Sequence, residues 1–314
     1  MKSEHATQLN IVLAVMPNSP FNSSIWRGLA HGFQTLGHRL IVVDSGKCPG
    51  PEAFAEKVDL FFAVHGVAIP QDVIREYRAQ GVITGVYLLD EPYEIDRTVQ
   101  WSRHYDYVFS VDQITVPVHQ KQTKAVFLPL GFSDAIFGVE GPKIQSDILV
   151  LGSAYKAREI YLAALRDNFG SKVTWVGPGW KSFSAAGVHH ENYVNPADCA
   201  RLYRGAKLVI NIHRDSTWSH FGELNKSDLV ATHLNPRFWE GSACGSLQLV
   251  SYRKDLEVFA PHAASFDTKD VFLELVEKYL YDDESREHRA QDVTKAIEPH
   301  TYTNRVIKII DTLF

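Results

Sequence analysis

His233-Leu-Asn-Pro-Arg-Phe-Trp-Glu-Gly-Ser-Ala-Cys-Gly245 runs straight into Ser246-Leu-Gln-Leu-Val-Ser251. It reads as a loop, a short helix, a glycine stop and a buried strand. Asn235 is placed to cap the helix, and Pro236 fits the first turn, where a missing N–H costs nothing. The small residues Gly241, Ser242 and Ala243 let the helix lie close to a neighbour. Gly245 suits the left-handed conformation that ends it. Arg237 and Glu240, three residues apart, share one face near the start of the helix. A guanidinium fork and a carboxylate so placed suit a phosphate and a ribose diol; an intrahelical ion pair on a solvated face fits the same spacing.

Working outward, the same alternation recurs on both sides. Asp147–Gly152, Val173–Gly177 and Lys207–Ile212 are apolar strands, with helices expected over 157–169 and 196–204. After Phe266 helices dominate to the end. Upstream, strands are expected at 10–16, 38–44, 58–64, 82–89, 105–111 and 125–130, with helices at 23–36 and 71–80. Continuous apolar strands separated by helices signal parallel sheets covered on both faces. Residues 131–145, with Gly131, Gly138, Gly141 and Pro142, read as a linker. The expected architecture is α/β, with two Rossmann-like doubly wound domains. Residues 1–143 form the first and 144–298 the second. The apolar helical spacing of 304–314 leads to a final helix, 299–314.

A chain of 314 residues suits two domains at about 150 residues each. Its net charge of −5 argues against a dedicated polyanion binder. Three separated cysteines, Cys48, Cys199 and Cys244, suggest neither a disulfide framework nor a zinc site, and point to a reducing compartment. The first ten residues lack an apolar leader core, and no run approaches a membrane span, so a cytoplasmic protein is expected.

The residues Asn235, Arg237, Phe238, Glu240, Ala243, Cys244 and Gly245 resemble the N-x-R-x-F/W-E-x-x-A-C-G block of the CgeB-like (spore-maturation) glycosyltransferases. That group has the two-Rossmann GT-B fold, and the resemblance implies that the final helix, 299–314, crosses back to the first domain. More loosely, the stretch is similar to the E-A-x-A-x-G helix of group-1 glycosyltransferases. The resemblance implies that Glu240 holds a donor ribose. It implies that Gly152-Ser153, continuing to Arg158, faces a donor diphosphate, with Arg237 nearby. It also implies that Gly177 and the segment ending at Val194 approach the base. One departure stands out: many group-1 enzymes carry a second glutamate eight positions before the first, and here that position is Thr232.

Ligands of open parallel sheets bind beyond the carboxyl ends of the strands, so residues just after each strand are the candidates. On the donor side these include Asn235 and His213, the latter being a possible phosphate contact or a satisfied structural histidine. On the acceptor side Asp90-Glu91-Pro92 follows a buried strand, and His65-Gly66 follows another. Asp90 is expected to be the base for an acceptor hydroxyl, with Glu91 orienting it and His65 in reserve. Capping of the following segment is the structural alternative for Asp90. No metal-ligand cluster is evident, and helix dipoles with basic residues are expected to stabilise the leaving diphosphate without a cofactor.

The resulting expectation is a metal-independent glycosyltransferase using a nucleotide-diphospho-sugar, UDP-sugars favoured. Its acceptor would be hydroxylated: a glycan, small molecule, protein or modified nucleic acid. Two rivals share the architecture, namely a non-catalytic two-lobed sugar or sugar-nucleotide binder and a GT-B sugar-nucleotide epimerase.

Overall fold

The computed structural model describes residues 8–19, 22–154, 158–180, 187–190, 192, 194–216, 219 and 221–314. The chain forms two compact units. One comprises Met1–Pro129, Ser216–Thr232 and Tyr302–Phe314; the other comprises Leu130–Asp215 and His233–Thr301.

The first unit opens with β1 (Asn10–Val15), α1 (Ser23–Thr35) and β2 (Arg39–Asp44). It continues with β3 (Leu60–Val64), α2 (Gln71–Ala79), β4 (Ile83–Leu88), α3 (Ile95–Ser102), β5 (Tyr107–Ser110), α4 (Val116–His119) and β6 (Lys124–Phe127). The strands form one sheet in the order β2-β1-β3-β4-β5-β6, with every pairing parallel. Residues of β3 are buried throughout and those of β1 nearly so, as an unbroken apolar strand demands when both sheet faces are covered. The Phe61 ring stacks on Tyr77 of α2, with centroids 4.3 Å apart. Each such large apolar side chain contributes roughly 1.5–3 kcal/mol by leaving water.

The last helix, Tyr302–Leu313, packs on α1. A Cβ on Gly28 would overlap the Tyr302 ring, and one on Gly32 would stand 2.9 Å from Val306 Cγ2. The glycines therefore set how closely these helices approach. Arg305 of the same helix is buried and donates from Nε to Pro129 O at 2.7 Å, fixing the end of the first unit's main run.

The stretch 216–232 lies in the reading frame of the second domain but packs with the first unit, and nothing in its periodicity signals this. Its anchors are carboxylates and main-chain groups of unit 1. Asp96 N–H donates to Leu224 O, and Asp96 Oδ2 accepts from Lys226 N–H, both at 2.9 Å. Asp112 accepts from both the N–H and the hydroxyl of Thr232 at 2.8 Å. Ser219 Oγ donates to Glu94 Oε1 at 3.3 Å.

The second unit contains β7 (Ser146–Leu151), α5 (Glu159–Phe169), β8 (Val173–Val176), β9 (Val188–His190), α6 (Pro196–Gly205), β10 (Ala206–Asn211), α7 (Pro236–Ala243) and β11 (Leu247–Ser251). The four-residue α8 (Leu256–Phe259), β12 (Ala264–Phe266), α9 (Lys269–Tyr281) and α10 (Asp283–Ile297) follow, so the last helix of the chain is α11. The sheet order is β12-β11-β10-β7-β8-β9, again parallel in every pairing. The opening stretch of sequence is therefore α7 and β11. Asn235 caps α7 by accepting from Phe238 N–H at 3.1 Å, and Gly245 has φ +79° just beyond the helix.

Candidate active site

In the second unit the carboxyl ends of β7 and β8 meet at two glycines. Gly152 and Gly177 have φ +125° and +118°, values that strongly favour glycine. A Cβ on Gly177 would collide with the carbonyl of Gly152. Gly152 N–H donates to Val176 O at 2.8 Å, and Ala154 N–H to Pro178 O at 3.2 Å. The two turns are thus stitched side by side.

Two arginines close on this corner. Arg237 donates from Nη1 to Leu151 O at 2.8 Å and from Nη2 to Ile212 O at 3.0 Å, so its fork spans the last carbonyl of β7 and the first one beyond β10. Arg158 is buried and donates from Nη1 to Ser153 O at 2.7 Å. A Cβ on Gly152 would stand 3.1 Å from Arg237 Nη1 and 3.5 Å from Arg158 Nη1. Gly152, Ser153, Gly177, Arg158 and Arg237 are therefore brought together. Tyr155, Lys156 and Ala157 of the same expected loop lie outside the described residues, as do Glu191 and Tyr193 of the segment before α6.

Glu240 is buried one turn further along α7. Burial, then the Glu240 charge, hold the Tyr203 hydroxyl of α6 well above its usual pKa, with Arg237 opposing them. Burial first, then Glu240, push the Cys199 thiol up; burial dominates at Cys244 too, raising its thiol to about 12.

Asn235 and His213 both make structural hydrogen bonds within the second unit. The Asn235 side chain caps α7 and exchanges amide bonds with Asn211, at 2.8 and 3.2 Å. Asn211 in turn donates to Gln248 Oε1 at 3.0 Å. His213 Nε2 accepts from Asn235 N–H at 3.4 Å, which leaves the proton on Nδ1, facing Ser251 O at 3.1 Å and Ser251 Oγ at 3.0 Å. Burial, then Arg253, Arg237 and His233, hold this imidazole well below its usual pKa, so it is a neutral brace between β10, β11 and α7. Val194 stands just before α6; its carbonyl accepts a weak thiol contact from Cys199 at 3.8 Å.

In the first unit, His65 and Asp90 come together beyond β3 and β4, with Nδ1 3.5 Å from Asp90 Oδ2. His65 has φ +70°, and a Cβ on the next residue, Gly66, would stand 2.5 Å from Val86 Cγ2. A non-glycine residue held in that region is strained by about 1–3 kcal/mol, a feature that clusters at working sites. The Asp90 side chain is the more accessible of the two.

Glu91, expected to orient Asp90, lies in the interior of the first unit. It is fully buried, and its Oε1 accepts from Thr98 Oγ1 and lies 3.2 Å from His119 Nε2. His119 Nδ1 is 3.0 Å from Ser102 Oγ. A carboxylate enclosed by α3 and α4 cannot reach an acceptor; it braces the loop that carries Asp90. Its partners lie 7 and 28 residues away, with no spacing pattern to announce them.

Two units with all-parallel doubly wound sheets are the architecture of the GT-B fold. Residues 158–311 match the family described as Glycosyl transferase-like. The chain is 22% identical over 254 residues to spore protein CgeB of Bacillus subtilis (strain 168), covering 76% of this chain and 77% of that protein. Among solved structures it is similar to an alpha-glucosyltransferase in complex with UDP-glucose and DNA containing an abasic site. That match has a TM-score of 0.66 at 10% identity, over 98% of this chain and 100% of the other. It is likewise similar to a trehalose-6-phosphate protein from E. coli bound with UDP-2-fluoro glucose, with a TM-score of 0.64 at 10% identity over 97% and 99% of the two chains. At such identity these two carry the fold. The chain is a glycosyltransferase of GT-B architecture, similar to CgeB.

Proposed function

We propose that the sugar comes from a UDP-sugar held by the second unit, and that a hydroxylated acceptor is activated in the first. The observation that carries the donor half is the convergence of Gly152, Gly177, Arg158 and Arg237 at the carboxyl ends of β7 and β8. Close-approaching glycine backbone and fixed guanidinium groups suit a diphosphate whose charge grows as the glycosidic bond breaks. Glu240, on the same helix as Arg237, takes the ribose diol through charge-assisted hydrogen bonds. Gly177 and Val194 border the space for the base. UDP is favoured because two of the structural neighbours hold UDP-glucose or UDP-2-fluoro glucose.

On the acceptor side Asp90 takes the hydroxyl proton, with His65 beside it and Glu91 bracing the loop from below. The first unit carries more Asp and Glu than Lys and Arg, which favours a glycan or small molecule over a nucleic acid, in contrast to the DNA in the neighbouring glucosyltransferase complex. The deciding experiment is a titration of the purified protein with UDP, GDP, ADP and dTDP, followed by turnover of the corresponding sugar nucleotides. UDP binding in the micromolar range with acceptor-dependent release of UDP is the expected result. Failure to bind any nucleoside diphosphate would overturn the donor assignment.

A further inference from the structure

Gly152 is the corner of the proposed donor site, and its N–H is fixed by Val176 O. Its carbonyl is held from the other side. Trp180 follows the Gly177-Pro178-Gly179 turn, and its indole Nε1 donates to Gly152 O at 2.7 Å, with a longer contact to Val176 O at 3.3 Å. The indole is 1% exposed. Its ring packs against Trp175 of β8, with centroids 5.2 Å apart, and Trp175 stacks in turn on His189 of β9 at 6.4 Å. A buried donor on a rigid ring stack thus pins the carbonyl of a glycine whose φ, +125°, lies outside the ordinary regions.

That geometry has a consequence for the ligand. The peptide plane that carries the Gly152 carbonyl also carries the Ser153 N–H, whereas the Ala154 N–H is already given to Pro178 O. Release of the Gly152 carbonyl would let this plane rotate and turn the Ser153 N–H aside. The ribose contact is carried by Glu240 on α7, outside these two turns.

We infer that Trp180 is a positioning residue for the donor diphosphate: its indole N–H holds the Gly152 corner in the shape that receives the phosphates. This rests on the donor reading above. It assigns Trp180 no contact with the substrate, and so distinguishes it from the residues already placed in the site.

The test separates diphosphate from nucleoside recognition. Trp180→Phe keeps an aromatic ring and removes the N–H; incorporation of benzothienylalanine at position 180 keeps the bicyclic shape and replaces the N–H by sulfur. UDP and uridine are titrated against each variant and against wild type, with thermal unfolding in parallel. Loss of one buried hydrogen bond predicts about three- to tenfold weaker UDP binding in both variants. Uridine binding should be unchanged, and the benzothienylalanine protein should keep a cooperative unfolding transition, lowered by no more than a few degrees. Unchanged UDP affinity in the benzothienylalanine protein, or equal losses for UDP and uridine, would overturn the assignment. Wild-type protein that bound no UDP would overturn the donor reading itself, a result visible before any variant is made.

Discussion

Replacing Glu240 by Gln tests the ribose contact with little disturbance of the fold. The side chain is buried on α7, and the substitution preserves its volume and shape. A carboxylate accepts both ribose hydroxyls. An amide accepts one through its oxygen and presents N–H to the other, where the hydroxyl must turn to accept. The change forfeits one charge-assisted hydrogen bond and weakens the second, about 1.5–3 kcal/mol. At about 1.4 kcal/mol per decade this is roughly a 10- to 150-fold rise in Kd. Because the ribose is common to uridine and UDP, both should weaken in parallel, in contrast to the Trp180 variants, where only UDP should respond. Calorimetric titration of the two ligands, with Tm recorded alongside, reads all three quantities. Wild-type affinity for UDP in a folded Glu240→Gln protein would refute the reasoning. So would a loss confined to UDP, since that would place Glu240 beside the phosphates.

Three further outcomes are expected. Asp90→Asn should lower acceptor-dependent turnover by about 10²–10⁴ while donor binding and slow donor hydrolysis persist; full activity in this variant would remove Asp90 as the base and turn attention to His65. Gly28→Ala should destabilise the first unit by about 1–3 kcal/mol in chemical denaturation, because its Cβ has no room beside the Tyr302 ring; an unchanged midpoint would show that α1 and α11 can separate at no cost. His213 is held neutral with its pKa well below the ordinary 6.5, so the unfolded chain binds the proton first. Its contribution to stability is complete above about pH 6.5 and declines as pH falls, with a limiting slope of about 1.4 kcal/mol per pH unit. Unfolding titrations of wild type and His213→Asn between pH 7.5 and about 5 should show a shallower slope in the variant, and equal slopes would reject the brace.

Elements whose physics is local were legible in the chain itself. Apolar runs such as Asn10–Val15 and Leu247–Ser251 can only be satisfied as strands buried on both faces, and that demand led to two doubly wound parallel sheets. The Asn235 cap, the Pro236 start and the Gly245 stop of α7 act within a few residues of one another. The shared face of Arg237 and Glu240 follows from the helical period alone. Gly152, Gly177, His65 and Asp90 could be placed at strand ends because the βα rhythm puts them there.

What those side chains do at the strand ends was decided by residues distant in sequence. Arg237 spends its fork on Leu151 and Ile212, 86 and 25 positions away, and no spacing rule connects them. Glu91 and Asp90 are adjacent, yet burial against Thr98 and His119 takes Glu91 out of reach and leaves Asp90 beside His65. The segment 216–232 packs with the first unit because Glu94, Asp96 and Asp112 offer carboxylates to its Ser219 hydroxyl, Lys226 N–H and Thr232. Trp180 reads in sequence as one more aromatic after a Pro-Gly turn, and only the approach of β7 to β8 lays its N–H on the Gly152 carbonyl. Periodicity reports which face of an element is buried. Hydrogen-bond partners are set by which elements the topology makes neighbours, and that information exists only once the sheets have formed.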